Sequence, residues 1–223
     1  MPLISPRVTL TGPWLEMDLG YRHQIAGWPI VGPSWGLAAT IAWLQVRDAD
    51  LPADVLPETY FRDRARADKI EAEIGLMTAA EISNYACERA SNAAMEVTAL
   101  VTAGLTNGES VQPPTGNTSA SPPSDRWHAG TVNIVLHTAV PLTQAAMFEA
   151  LSIVAEARTA AIIDLGISLI DGRKLTGTGT DCIVVASPAA PHPLKHCGLH
   201  TALGRLIGET TYSAARRAIV TRG

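Results

Sequence analysis

A long apolar helix between β-type segments restricts the folds open to this chain. Residues 142–165 follow a helical pattern, which Thr143 opens and Gly166 closes at the C′ position. Residues 129–140 before it alternate as a strand does, and further strand signals follow it. The helix must therefore cross a sheet, and the pattern over 94–140 favours antiparallel neighbours. We predict an α+β fold, a layered domain with a central mixed, largely antiparallel sheet and packed helices.

Shorter patterns supply the remaining elements of a single predicted domain over residues 1–223. Residues 37–46 fit a helix, a strand, or one followed by the other. A tract rich in Pro, Ser, Thr, Gly and Asn predicts a flexible insertion near 109–126, because it has little apolar surface to bury. Strands are predicted within 7–31 and at 75–78, 94–102, 167–170 and 182–186. Helices are predicted over 57–73, 79–90 and 201–222.

Charge and hydropathy exclude several classes of partner. The net charge of −4 and the pI near 5.8 argue against a nucleic-acid partner. No apolar run reaches the roughly 18 residues of a membrane span, and the N-terminus does not resemble a secretory signal. The three cysteines are widely spaced and fit reduced thiols. We expect a cytoplasmic protein with no membrane partner and a small-molecule substrate.

A polar run that leads into an apolar strand is a candidate site: Leu175-Thr-Gly-Thr-Gly-Thr-Asp-Cys-Ile-Val-Val-Ala-Ser. In an extended chain the threonines line one face, while the glycines leave the other open to a ligand or another backbone. Asp181 adds a carboxylate where the exposed run meets the strand. The pattern fits a binding or catalytic site, and it equally fits a Thr-rich edge strand. The alternating residues are Thr176, Gly177, Thr178, Gly179 and Thr180.

Glu156 is a second candidate, because it lies in an apolar stretch of the long helix. A half-buried carboxylate there would have a raised pKa and could act as a general acid or base. The alternative is a surface glutamate paired with Arg158. The small residues of 145–163 likewise fit either a homo-oligomer contact or a buried core helix.

Three histidines spaced by four residues raise the question of a metal site. On a helix, His192, His196 and His200 would share a face, and Cys197 could complete a zinc site. The neighbouring prolines disfavour that helix, so we expect a loop and no metal. Phosphate-binding, dinucleotide-binding and serine-hydrolase motifs are absent from the sequence.

Six sequence blocks, taken together, carry a family resemblance. They are Gly75-Leu-Met-Thr-Ala-Ala, Val97-Thr-Ala-Leu-Val-Thr-Ala-Gly-Leu-Thr-Asn, Gly130-Thr-Val-Asn-Ile, Glu156-Ala-Arg-Thr-Ala-Ala, Thr176-Gly-Thr-Gly-Thr-Asp and Leu203-Gly-Arg-Leu-Ile-Gly. In this order they resemble the adenosylcobinamide amidohydrolase family over roughly residues 75–220. The resemblance implies cleavage of the amide that joins the aminopropanol arm to the corrin ring, giving adenosylcobyric acid for corrinoid salvage. The corrinoid is then the substrate or ligand, and no other cofactor is required.

The matching positions supply candidate roles. Asp181 or Glu156 would act as general base toward water or a threonine hydroxyl, with Thr178 and Thr180 as catalytic candidates. Asn107, Asn133 and backbone N–H groups of the Gly-Thr run would stabilise the oxyanion. The predicted substrate-binding residues are Thr78, Thr102, Asn107, Asn133, Thr176, Gly177 and Gly179.

The N-terminal segment departs from the family pattern. Where the family typically has a Ser-Ser pair before a glycine cluster, this chain has Ala26-Gly27-Trp28-Pro29 followed by Gly32-Pro33-Ser34-Trp35-Gly36. A non-catalytic corrinoid- or cofactor-binding homologue, or an enzyme of another cofactor pathway, therefore remains an alternative to the hydrolase.

Overall fold

The computed structural model describes residues 5–92, 95–114 and 130–221. The strands are β1 (Arg7–Thr11), β2 (Trp14–Gly27), β3 (Trp35–Gln45), β4 (Ile74–Thr78), β5 (Ala86–Asn92), β6 (Met95–Ala103), β7 (Gly108–Glu109), β8 (Val132–Thr138), β9 (Gly177–Thr178) and β10 (Cys182–Pro188). The α-helices are α1 (Pro57–Asp68), α2 (Gln144–Asp164) and α3 (Ala202–Val220).

Eight strands form a mixed sheet in the order β4-β3-β2-β10-β8-β6-β5, with β1 paired to β2. The pairs β8–β10 and β3–β4 are parallel, and the others are antiparallel. Parallel neighbours need a crossover connection, and the segments containing α2 and α1 provide the two crossovers. The predicted α+β layered fold is confirmed.

The helices α2 and α3 cover one face of the sheet. Thr143 caps α2 by accepting a hydrogen bond from the N–H of Ala146 at 3.3 Å, and Gly166 follows the helix at φ +71°, as the sequence predicts. Every second residue of β8, such as Ile134, points into the apolar core beneath these helices. Burial of this shared apolar surface joins the helical layer to the sheet.

The opposite face of the sheet curls around a second core. Three strands separate β8 from β4, yet the side-chain N–H of Asn133 donates to the carbonyl oxygen of Met77 at 2.7 Å. Buried side chains of six strands, among them Met17, Trp43 and Val135, pack inside this curl. The inner face of the sheet is therefore enclosed by the sheet itself.

The helix predicted over 79–90 is wrong. A short 3-10 helix at Ile82–Asn84 is followed by β5, whose seven residues pair with β6. Pairing along the edge of the sheet overrides the local helix propensity, which is a weak determinant by itself.

Three smaller expectations also change. The helix predicted over 57–73 ends at Asp68, because Lys69 adopts a left-handed cap conformation at φ 58°. Residues 167–170 form an isolated bridge between Ser168 and Lys174, and they are not a strand. The ambiguous segment 37–46 is a strand, as part of β3.

Most of the insertion predicted near 109–126 lies outside the described residues. Its first residue, Glu109, belongs to β7 and pairs with Gly177 of β9. None of the helices in the described ranges is long and apolar enough to cross a membrane.

Two histidines meet inside the curled sheet. His137 of β8 and His23 of β2 are buried, with their Nε2 atoms 3.2 Å apart. His23 Nδ1 lies 2.8 Å from the carbonyl oxygen of Tyr21 and must carry a proton, because a carbonyl only accepts. In the neutral pair His137 Nε2–H therefore donates to His23. Burial and the neighbouring His23 lower the pKa of His137 from 6.5 to about 3.

This lowered pKa predicts a pH-dependent stability. The folded protein binds fewer protons than the unfolded chain at His137 between the folded pKa, about 3, and the unfolded value, 6.5. The full stability is thus present above pH 6.5, and this group alone removes about 2 kcal/mol of the free energy of unfolding between pH 7.5 and pH 5. Urea unfolding at both pH values measures the loss.

Two variants isolate the contribution of His137 to the pH dependence of the free energy of unfolding. His137→Gln should show a smaller loss on acidification than the wild type, whatever its absolute stability. His192→Gln, at an exposed position, should keep the wild-type loss. An unchanged pH dependence in His137→Gln would contradict the assignment.

Candidate functional site

The carboxylate of Asp181 is the centre of the candidate site. Asp181 directly precedes β10, and its Oδ1 accepts hydrogen bonds from the backbone N–H of Val132, at 3.1 Å, and from the hydroxyl of Thr178. Its Oδ2 accepts from the backbone N–H of Thr178 at 3.2 Å and forms an ion pair with Arg158. These four donors fix the carboxylate in one orientation.

Arg158 brings helix α2 into the site. Its side chain is 14% exposed and that of Asp181 is 11% exposed, so the ion pair is largely buried. Burial lowers the pKa of Arg158, although a guanidinium remains charged in proteins. Sequence reasoning considered Arg158 only as a partner of Glu156. One sequence signal could have identified Arg158. It lies three residues before the buried Ala161, on the apolar side of α2 that faces the sheet.

A glycine is required beside this ion pair. A Cβ atom on Gly177 would lie 2.9 Å from both Arg158 Nη1 and Asp181 Oδ2. The open backbone predicted for the Thr-Gly run is therefore used by the protein's own charged groups at this position.

A second polar group adjoins the first. Thr180 Oγ1 lies 2.7 Å from Thr131 Oγ1, and Asn107 Nδ2 donates to Thr180 Oγ1 at 3.3 Å. The N–H of Gly179 donates to the carbonyl oxygen of Asn107 at 3.0 Å, which ties the loop after β6 to the Thr-Gly run. Thr180 and Asn107 are half-buried, so their polar atoms border solvent.

The threonines of the run do not share one set of partners. Only Gly177–Thr178 pairs as a strand, β9. Thr176 Oγ1 accepts from the N–H of Val111 at 3.0 Å, away from Asp181 and Thr180. Two of the three predicted hydroxyls, those of Thr178 and Thr180, therefore belong to the site, and Thr176 supports the loop.

Three predicted substrate contacts lie inside the curled sheet. Thr102 and Asn133 are paired neighbours in β6 and β8, both buried, and Thr78 Oγ1 accepts from the N–H of Ala80 at 3.1 Å. Asn133 Oδ1 and Thr102 Oγ1 have no hydrogen-bond partner among the described residues. Asn133 lies two residues beyond Thr131 on the same face of β8, so this layer lies behind the open site.

The structure separates Glu156 from the site. Glu156 lies two residues before Arg158, which on a helix is about 200° around the axis, so the two side chains point in opposite directions. Its side chain is exposed, accepts from the hydroxyl of Ser152 at 3.0 Å, and borders a groove between α2 and α3 that includes Arg205. The expected half-burial of Glu156 is wrong.

The histidine segment forms a loop before α3, as expected. His192, His196 and His200 are exposed, while the buried Cys197 thiol donates to the carbonyl oxygen of Ala146 at 2.9 Å. Burial raises the pKa of Cys197 to about 11. Within the described ranges, no group of three or more His, Cys, Asp or Glu side chains could hold a metal ion.

The N-terminal segment also reaches the site. The indole N–H of Trp28 donates to the backbone oxygen of Asp181 at 2.8 Å, and the N–H of Trp28 donates to that of Ile183 at 3.1 Å. The segment that departs from the family pattern thus borders the catalytic candidates. Sequence reasoning did not identify this contact, which joins residues 153 positions apart.

Comparison with known proteins agrees with the resemblance seen in the sequence. A family model described as adenosylcobinamide amidohydrolase matches residues 6–223. An adenosylcobinamide amidohydrolase of Methanosarcina mazei is 28% identical over 177 residues, which cover 75% of this chain and 76% of that protein. An uncharacterized protein of Methanocaldococcus jannaschii is 37% identical over 93 residues, which cover 41% of this chain and 36% of that protein.

The buried ion pair predicts a large effect of removing its cation. Arg158→Met should lower the free energy of unfolding by roughly 3 kcal/mol, because it leaves the Asp181 carboxylate buried without its counter-charge. Arg7→Met removes an ion pair whose side chains are 78% and 41% exposed. Its effect should stay within about 1 kcal/mol.

Urea unfolding of the two variants measures both losses. A double variant, Arg158→Met with Asp181→Asn, should lose less than the sum of the single variants, because the remaining partner is no longer charged. A loss in Arg158→Met as small as that in Arg7→Met would show that the buried pair adds nothing to stability.

Proposed function

Because the chain belongs to the adenosylcobinamide amidohydrolase family, we propose that it hydrolyses adenosylcobinamide, releasing the aminopropanol arm and leaving adenosylcobyric acid. The name of the Methanosarcina mazei relative supports the substrate class. The observation that carries the proposal is the chain of contacts from the Thr178 hydroxyl through Asp181 to Arg158.

These contacts have the arrangement of an activated nucleophile. A hydroxyl within hydrogen-bond reach of a base, with the base oriented by a third group, is the general arrangement for covalent catalysis. Thr178 Oγ1 donates to Asp181 Oδ1, and Arg158 with two backbone N–H groups orients the carboxylate. Of the four donors to Asp181, the hydroxyl of Thr178 becomes the nucleophile when it loses its proton.

The reaction proceeds in two steps, formation of an ester on Thr178 and its hydrolysis. Thr178 Oγ1 attacks the amide carbonyl carbon while Asp181 takes the hydroxyl proton. The C–N bond then breaks, and Asp181 returns the proton to the departing amine nitrogen, which leaves an ester on Thr178. Water then attacks the ester carbonyl carbon while Asp181 takes a proton from it. Asp181 gives that proton to Thr178 Oγ1 as the acyl C–O bond breaks, which leaves the carboxylic acid and the free hydroxyl.

The neighbouring polar pair would stabilise the oxyanion. Asn107 Nδ2 donates one of its two N–H groups to Thr180 Oγ1 at 3.3 Å, and we assign the other N–H to the developing negative charge. Donors aimed at the developing negative charge are a large contribution to acyl-transfer catalysis. Asn133, which the sequence placed in the same role, lies in the buried layer behind them. Side chains and backbone N–H groups of the protein, with water, supply every group in this scheme, and the corrinoid is the substrate.

Variants at three carboxylate and hydroxyl positions test the assignment. Thr178→Ala and Asp181→Asn should each lower kcat for adenosylcobinamide by at least about 100-fold, since they remove the nucleophile and the base. Thr178→Ser should retain part of the activity. Glu156→Gln is the matched control, because its exposed carboxylate lies on the opposite side of α2.

The readout is chromatographic separation of cobyric acid from cobinamide. A loss in Glu156→Gln equal to that in Asp181→Asn would make Glu156 the base instead. Binding of the corrinoid by the wild type without turnover would overturn the hydrolase and identify a corrinoid-binding homologue. Turnover of a different amide, with adenosylcobinamide untouched, would place the protein in another pathway.

A further inference from the structure

Exposed aromatic side chains concentrate beside the candidate site. Trp28, Trp35 and Phe148 are 46%, 40% and 54% exposed. The other Trp and Phe side chains that the structure describes are buried: Trp14, Trp43 and Phe61. Since exposed aromatic area is unfavourable in water, its restriction to one corner of the molecule indicates a surface that binds a partner.

Two of these rings contact each other, one from the sheet and one from the helical layer. The ring centroids of Trp35 and Phe148 lie 5.9 Å apart at an interplanar angle of 52°. Trp35 begins β3 opposite Ala26 of β2, and Phe148 lies in the second turn of α2. These two rings are therefore carried by a strand and a helix, which hold them in fixed positions.

The third ring connects this surface to the catalytic candidates. The indole N–H of Trp28 is bound to the backbone oxygen of Asp181, and the N–H of Gly27 donates to the carbonyl oxygen of Ser34 at 3.0 Å. Trp28 thus lies between Asp181 and the strand that carries Trp35. Because its polar edge is already bound, its remaining exposed area is apolar carbon.

We propose that Trp28, Trp35 and Phe148, here called the aromatic surface, bind the corrin macrocycle of the substrate. This inference rests on the proposed function. The amide to be cut hangs on a short side arm of the macrocycle, so the ring must rest close to Thr178. Trp28 contacts Asp181, the residue that accepts the hydrogen bond from the Thr178 hydroxyl. Aromatic side chains that bury a rigid apolar face dominate binding energies of this kind. Three rings from two strand ends and a helix also offer a wider surface than one nucleobase covers.

Variants remote from the reacting groups test this surface. Trp35→Ala and Phe148→Ala should each weaken corrinoid binding by roughly tenfold, raising KM while kcat changes little. Trp35→Phe should keep most of the affinity, since it retains an aromatic face. Leu199→Ala is the control, because this exposed side chain lines the groove between α2 and α3 instead.

Two ligands distinguish binding of the macrocycle from binding of its adenosyl group. Kd is measured by equilibrium dialysis, using corrin absorbance, for adenosylcobinamide and for cobinamide with cyanide in place of the adenosyl group. All proteins carry Thr178→Ala in addition, so that the ligand is not consumed during dialysis. An equal increase in the Kd values of both ligands in Trp35→Ala and Phe148→Ala supports binding of the macrocycle. Weakening for the adenosyl form alone would assign the surface to adenine and overturn the inference.

The remaining outcomes separate the surface from the hydrolase. Unchanged Kd in Trp35→Ala and Phe148→Ala, with wild-type turnover, would overturn the aromatic surface and leave the proposed function intact. Weakened binding in these two variants, together with a wild type that binds adenosylcobinamide without turning it over, would support the aromatic surface and overturn the hydrolase. A protein oligomer that dissociates in Trp35→Ala, with unchanged Kd, would identify a subunit contact and overturn the inference.

Discussion

The buried ion pair between Arg158 and Asp181 is the interaction on which the site depends. It joins the helical layer to the start of β10, and the same carboxylate also binds β8 through the N–H of Val132. Each charge is buried and needs the other, because an isolated buried ion is strongly unfavourable. The close approach also requires glycine at position 177. The pair therefore determines the conformation of the Thr-Gly run, and with it the position of the Thr178 hydroxyl.

The topology of the sheet explains why polar and aromatic groups meet at this place. The parallel pair β8–β10 puts the start of both strands at one edge, where Thr131 and Asp181 lie. Strand β2 runs antiparallel to β10, so its end brings Trp28 to the same edge. The candidate catalytic cluster and an exposed aromatic side chain are thus adjacent without any long excursion of the chain. This arrangement fits the proposed corrinoid substrate, whose amide lies on a side arm of a large macrocycle.

The sequence predicts the parts of this picture that depend on local pattern. The long helix with its caps and the strands β6, β8 and β10 follow from periodicity, and the fold class is confirmed. The role of the Thr-Gly run stays a prediction. The parts that depend on distant contacts do not follow. Residues 86–92 form a strand because β6 offers an edge, and a polar residue in an apolar helix such as Glu156 or Arg158 can point to either side. The side of α2 that faces the sheet determines that Arg158, and not Glu156, joins the site.

The most direct measurement is the mass of the protein after acid quenching during turnover of adenosylcobinamide. Covalent catalysis by Thr178 predicts an adduct with the mass of the cobyryl group, mapped by peptide digestion to the segment that contains Thr178. The adduct should disappear as the corrinoid is converted to cobyric acid. An adduct on another residue would contradict Thr178 as the nucleophile. Corrinoid recovered intact after prolonged incubation would contradict the assignment of the site as an amide hydrolase.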